Sequence, residues 1–222
     1  MGWTGFAAVF AAFFLTHSIP VRPAVKSRLE CRIGTRGFGL AYSALSIGML
    51  ALLIWSAGEA PYVQLWPQME WHRHAAHLGM LVVCLVLALS IRRPNPFSFG
   101  GARNDRFDPD RPGIVRWTRH PVLLALAIWA GVHLLPNGDL AHVILFGVLG
   151  SFALAGRPLI DRRKRRLLGV SRWKALDSTR KAAPPFHAPY SWPNLFFRFL
   201  IALAAFAALL LAHPYVIGVS AS

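Results

Sequence analysis

Six stretches of this 222-residue chain carry almost no charge, and three of the connections between them hold nearly all of its cations. The apolar blocks run about 2–19, 38–58, 74–91, 121–135, 140–156 and 195–213. A helix of ~20 residues crosses the ~30 Å hydrocarbon layer of a bilayer, and most of the blocks come close to that length. A soluble domain would instead interleave apolar and polar positions along each element. The pattern predicts an all-α fold: one polytopic transmembrane bundle of about six helices, occupying residues 1–222 as a single domain.

Charge sets the orientation. Of the 24 Lys and Arg, five lie in residues 20–37, seven in 92–119 and ten in 157–181, leaving Arg73 and Arg198. The other connections carry Glu59, Glu70 and Asp139. Cationic loops stay in the cytoplasm, so the three basic connections are expected there and both termini outside, in the manner of a bacterial inner-membrane protein. The net charge of +15 would also suit a nucleic-acid binder, but such a protein has no reason to place its cations in alternate connections. The expected partners are a lipid bilayer with anionic headgroups against the basic loops, and no nucleic acid.

The first block lacks the cationic start of a signal peptide and reads as a retained helix. Pro136-Asn137-Gly138-Asp139 cannot continue a helix, so the fourth and fifth blocks form a tight antiparallel hairpin. The run Arg162-Arg163-Lys164-Arg165-Arg166 extends the fifth helix beyond the membrane, with Asp161 pairing along it. Cys31, in a basic loop, and Cys84, within an apolar block, give no disulfide framework. Arg198, one turn inside the last helix, is expected to snorkel to the interface.

The nine histidines hold the chemical question. His72, His74, His77 and His142 sit where helices meet water and need no special role, although His74 and His77 share a face. His17 and His133 lie within or at the end of apolar runs, where an ionisable group is a functional suspect. Neutral imidazole is a haem axial ligand, and Trp129, one turn before His133, can wall a flat cofactor. His120 opens the fourth helix with Pro121 at its first position. Arg119 beside it makes a cationic helix start suited to a phosphate or propionate. His120 and His133 are ~20 Å apart along one helix and differ by ~140° in direction, so they cannot share an iron. With the topology above, His17 is level with His120, and depth alone pairs those two.

An ordered set of motifs then resembles a family. It comprises Thr16-His17-Ser18, Ala41-Tyr42-Ser43-Ala44-Leu45-Ser46, Pro94-Asn95-Pro96, Arg116-Trp117-Thr118-Arg119-His120-Pro121, Trp129, His133, Asn137-Gly138-Asp139, Phe146-Gly147, Asp161-Arg162-Arg163 and His213-Pro214. Together they resemble the NnrU-like membrane proteins, which are similar to plant 15-cis-zeta-carotene isomerase, over nearly the whole chain. The second block departs from the family's usual Gly-Glu-x-x-Tyr entry with Thr35-Arg36-Gly37-Phe38. The resemblance implies haem b with His17 and His133 as iron ligands, His120 the alternative, and Arg119 and Trp129 in the cofactor pocket. It also implies a redox or cis-trans isomerase role on a small apolar or gaseous ligand, linked to denitrification or carotenoid isomerisation. This ligand pair conflicts with the depth argument, and both remain open at this point.

Arg119-His120-Pro121, Gly169 with Trp173, and Pro184-Pro185-Phe186 also resemble isoprenylcysteine carboxyl methyltransferases, whose cofactor is S-adenosylmethionine. Here Val122-Leu123-Leu124 stands where those enzymes carry a Tyr and a small residue, and their Glu-rich C-terminal helix is absent. A non-catalytic membrane subunit is the third expectation.

Overall fold

A computed structural model describes residues 1–185 and 191–218 of the chain; His187 and Phe186 lie outside them. The long elements among the described residues are α-helices: α1 Trp3–Ser18, α2 Pro23–Gly58, α3 Glu70–Ser90, α4 Pro121–Leu134, α5 Leu140–Leu168, α6 Val170–Ala182 and α7 Trp192–Ile217. All six apolar blocks are helices. α2, α3, α5 and α7 are long and apolar enough to cross a membrane. The apolar helices α1 and α4 have 16 and 14 residues, or ~24 and ~21 Å at 1.5 Å per residue, short of a full hydrocarbon layer. Large side chains such as Leu40, Leu78, Phe196 and Leu211 stand exposed on these helices. In water such a surface would drive association; in a bilayer it is the surface that lipid wets. The protein is an integral membrane protein.

Two local expectations need correction. Residues 20–37 are not a loop: α2 begins at Pro23, so Cys31 is helical. Pro at the first turn, good helix formers from Ala24 to Arg32, and a Lys26–Glu30 pair 3.6 Å apart explain the helix. Gly34, at φ 73° and ψ 165°, then breaks it before the apolar part, a conformation only glycine adopts cheaply. A seventh helix, α6, follows α5 where the sequence reading had only a connection. Gly169 (φ 81°) turns the chain between them, and Trp173, Asp177 and Arg180 form the buried face of α6 at helical spacing. Arg198, one turn inside α7, is partly exposed. It donates to the carbonyls of Ala88 and Ile91, closing the C-terminal end of α3.

The chain falls into two compact units, Met1–Pro67 with Gly138–Leu145, and Gln68–Asn137 with Phe146–Ser222. In the first, α1 packs on α2. Residues 63–66 meet the start of α5 through Leu65 and Trp66 donating to Gly138 and Leu140 donating to Val63. In the second, α3 packs against both α4 and α7. The hairpin of α4 and α5 is antiparallel. Trp129 and His133 meet Phe146, and a Cβ on Gly156 would touch Leu123 near the other end.

The connection 92–119 is a packed cap. Phe97 is fully buried in a small core with Val115 and Trp173, its ring edge-on to Trp173 at 5.8 Å and to Phe107 at 5.6 Å. Asn95 orders the loop: its backbone N–H donates to Asn104, its side-chain carbonyl accepts from Phe97 N–H, and its amide donates to the carbonyl of Arg119.

Candidate functional site

α4 carries a histidine at each end. Near its C-terminus, His133 Nδ1 lies 2.8 Å from the carbonyl oxygen of Trp129, one turn earlier. A carbonyl only accepts, so Nδ1 holds the proton and the lone pair is on Nε2. The ring forms a three-way aromatic cluster with Trp129 (5.3 Å between centroids) and Phe146 (5.2 Å), which also meet each other edge-on at 5.3 Å. Histidines that bind metal typically spend the other ring N–H on a carbonyl or carboxylate, which fixes tautomer and orientation. His133 meets that requirement, and Nε2 makes no hydrogen bond among the described residues. Trp129 supplies both the orienting carbonyl and one aromatic wall.

At the other end, His120 is 2% exposed and both ring nitrogens are engaged. Nδ1 is 3.0 Å from Ser98 Oγ, and Nε2 is 3.0 Å from Asp161 Oδ1. Burial pushes the imidazole below its usual range and outweighs the opposing pull of Asp161, so it is neutral at neutral pH. Nε2–H therefore donates to the carboxylate, and Nδ1 accepts from the Ser98 hydroxyl. Pro121 and the buried loop residue Ser98 fix this ring at the helix start.

Arg119 grips the same carboxylate with two parallel bonds, Nη2 to Oδ2 at 2.6 Å and Nε to Oδ1 at 3.2 Å. Its Nη1 donates to Asp177 at 3.0 Å, and its guanidinium lies 5.1 Å from the Trp173 ring. Burial opposes the charged form, but the bonds and charges of Asp161 and then Asp177 hold Arg119 above its usual range. Asp177 is held below the carboxylate range: burial raises it, and hydrogen bonds from Arg180 and Lys181 with nearby positive charge overcome that. Arg180 also donates to the carbonyls of Val115 and Arg116, and Arg116 to that of Ala183. The connection 92–119, α5 and α6 are thus tied by one ionic network.

Sequence reasoning placed Asp161 in a pair along its own helix; it pairs instead with Arg119 and His120, more than forty residues away. It missed Asp177 and Ser98 altogether. The signal was present: Asp161 and Asp177 are the only acids in a stretch holding ten cations, and an acid kept in such company has a reason. Any external anion at Arg119, a propionate included, has to compete with both carboxylates.

His17 belongs to the first unit. Its ring stacks on Phe13 (5.4 Å, 9°) and lies 5.6 Å from Tyr42, whose hydroxyl donates to the His17 carbonyl. Among the edge histidines, His72 is buried rather than wet, its Nδ1 accepting from Met69 N–H, and His142 pairs with Asp139 at 2.7 Å. Among the described residues no three His, Cys, Asp or Glu side chains converge on a metal-sized site.

Long apolar helices with exposed large side chains, and an ion-paired helical cap at the start of α4, define a class: a polytopic helical membrane protein with a polar cap outside its apolar spans. Within that class the chain belongs to the NnrU family, whose model, described as NnrU protein, matches residues 5–221. No curated protein and no solved structure matches it.

Proposed function

We propose that the protein is a haem-b-binding member of the NnrU family, in which His133 would hold the iron, with a redox or isomerase role on a small apolar or gaseous ligand. The observation that carries this is the His133 ring. Its Nδ1–H is committed to the Trp129 carbonyl, which leaves the Nε2 lone pair unspent on a ring clustered with Trp129 and Phe146 in an apolar helix. An aromatic cluster of this kind offers one face to a flat macrocycle, and bound haem would supply an iron able to exchange one electron or polarise a ligand. The chain's own contribution is to fix the tautomer and orientation of the imidazole through the Trp129 carbonyl. His120 fits an iron poorly, since ligation would cost it a bond to Ser98 or Asp161; Arg119 and His120 build the closure rather than the cofactor pocket.

The three cationic segments, 20–37, 92–119 and 157–181, face the cytoplasm in this reading, next to anionic headgroups. Both termini then lie on the extracytoplasmic side of a bacterial inner membrane. The test is the visible spectrum of the full-length protein purified in detergent, with haem added during expression. A Soret band that survives in His120→Ala and His17→Ala but vanishes in His133→Ala supports His133 as the essential ligand. Loss in both His17→Ala and His133→Ala would make these two the pair. A colourless protein that binds S-adenosylmethionine saturably would replace this reading with the methyltransferase one.

A further inference from the structure

Outside the α4 histidines, the second unit holds a half-open cleft of about 240 Å³ between the 92–119 cap and the end of α5 with α6. Its walls are of two kinds. Phe107, Leu168 and Leu176 are partly buried and packed against the Phe97–Trp173 core. Lys164 and Arg172 bring positive charge, and Asn104 and Asp105 complete the polar side. Asn104 already spends its side-chain oxygen on Asn95 N–H, at 2.8 Å, so the group it has left is an NH2 donor.

Lys164 is the anomaly. It is half-buried, and burial with the neighbouring Arg163 pushes its ammonium below the usual lysine range. Yet no carboxylate or hydrogen-bond acceptor meets it among the described residues. The other buried cations here are matched: Arg119 has Asp161 and Asp177, and Arg180 has Asp177. A partly desolvated ammonium without a counter-charge is costly, and an anion entering the cleft would remove that cost.

We propose that this cleft binds a monoanionic or dianionic phosphate or carboxylate head attached to an apolar body. Lys164, Arg172 and the Asn104 amide hold the head, while Phe107, Leu168 and Leu176 cover the body. Asp105, the single acid on the wall, sets a limit on the ligand's charge and disfavours polyphosphates. Lys164 lies two turns beyond the apolar part of α5, so the same chemistry can arrive as a lipid head or as a free phosphate compound. The site is separate from His133, and the proposal stands or falls independently of haem.

The experiment is calorimetric titration of the full-length protein in a neutral detergent with dodecyl phosphate, dodecanol and inorganic phosphate, followed by vesicles of phosphatidylcholine with and without phosphatidic acid. Saturable binding of dodecyl phosphate is expected, weakened about tenfold or more by Lys164→Gln (a factor of ten being ~1.4 kcal/mol) and by the cleft-filling Leu176→Trp. Dodecanol is expected not to saturate. Tighter binding to the acidic vesicles, lost in Lys164→Gln, identifies a lipid head as the source. Saturable dodecyl phosphate binding that the acidic vesicles do not reproduce identifies a free amphiphilic phosphate, and inorganic phosphate that binds as tightly as dodecyl phosphate overturns the apolar body. No saturable binding by any probe, or binding that neither variant changes while both retain the wild-type melting temperature, overturns the proposal.

Discussion

His133, half-buried among aromatics, and His120, fully buried, stand thirteen residues apart at the two ends of one helix and use their ring nitrogens in opposite ways. His133 gives one nitrogen to a backbone carbonyl of its own helix and keeps the other. His120 gives both to side chains on other segments, a serine of the 92–119 cap and an aspartate of α5. The first arrangement needs nothing from the rest of the fold except apolar walls, so the ring stays available to a ligand. The second makes the ring a tie between elements, and taking it for ligation would loosen the cap. Shielding and proximity to an apolar block therefore say little about a histidine's role. The allocation of its two nitrogens decides.

The sharpest way to break this contrast is to swap the expected phenotypes. His133→Ala is expected to abolish the Soret absorbance while shifting the melting temperature little. His120→Ala is expected to keep the band and lower the melting temperature by several degrees. The reverse pattern, read from one set of spectra and melts, would exchange the roles of the two ends. Next in size is Asp161→Ala, which leaves Arg119 without its bidentate partner and His120 without an acceptor. Breaking a buried pair costs ~3–5 kcal/mol. About 3 kcal/mol is expected here, because Arg119 keeps Asp177 and 23% of its side chain is exposed. The double change Arg119→Met with Asp161→Asn removes both charges and still offers His120 an oxygen. It should recover part of that loss in thermal unfolding, and a further fall would show that the ions stabilise beyond their mutual compensation.

The same contrast explains what could be read in the sequence. The apolar helices were legible to within a few residues where a turn ends them, as at Pro121 and Leu140, because lipid as a solvent leaves the sequence little choice. α6 was not, since a helix on the polar side need be apolar only on one face, and Trp173, Leu176 and Arg180 mix aromatic, aliphatic and cationic contacts on that face. The helix over 23–33 was hidden by its own charges, which look like loop in a membrane protein. His133 and Trp129 were legible as a pair because their contact is one helical turn long. The Asp161 network was not, since its partners come from segments far apart in the chain, and a lone acid among arginines reads first as a local pair.

A smaller effect separates the ends by pH. The folded protein holds His120 below the ordinary histidine value of 6.5, through burial that outweighs Asp161, with Arg119 and Arg157 adding to the depression. The unfolded chain binds this proton more readily, so the stability from keeping His120 neutral is complete above about pH 6.5 and is lost as pH falls through the folded value. Melting temperature should decline on acidification from pH 7.5 to 5.5, and His120→Gln should flatten that decline. An unchanged slope would mean that another group carries it. Asp177, also depressed, contributes in the same sense only at lower pH, from below its ordinary 3.8.

The smallest effect tests whether the closure works by burial or by charge count. Asp177 accepts from Arg180 at 2.6 Å and from Lys181 at 3.0 Å, two cations at comparable distance. The Arg180 side chain is 5% exposed and that of Lys181 is 59% exposed. Water and salt screen the lysine, and such a pair is worth ~0–1 kcal/mol. Lys181→Gln should therefore lower the melting temperature by a degree or so at most, with the deficit fading as salt is raised. Arg180→Gln should cost several times more with little salt dependence, because it also removes donors to the carbonyls of Val115 and Arg116. Equal losses from the two variants would mean that the network senses total charge, and the cap would then be held less by the buried bonds of α6 than its geometry implies.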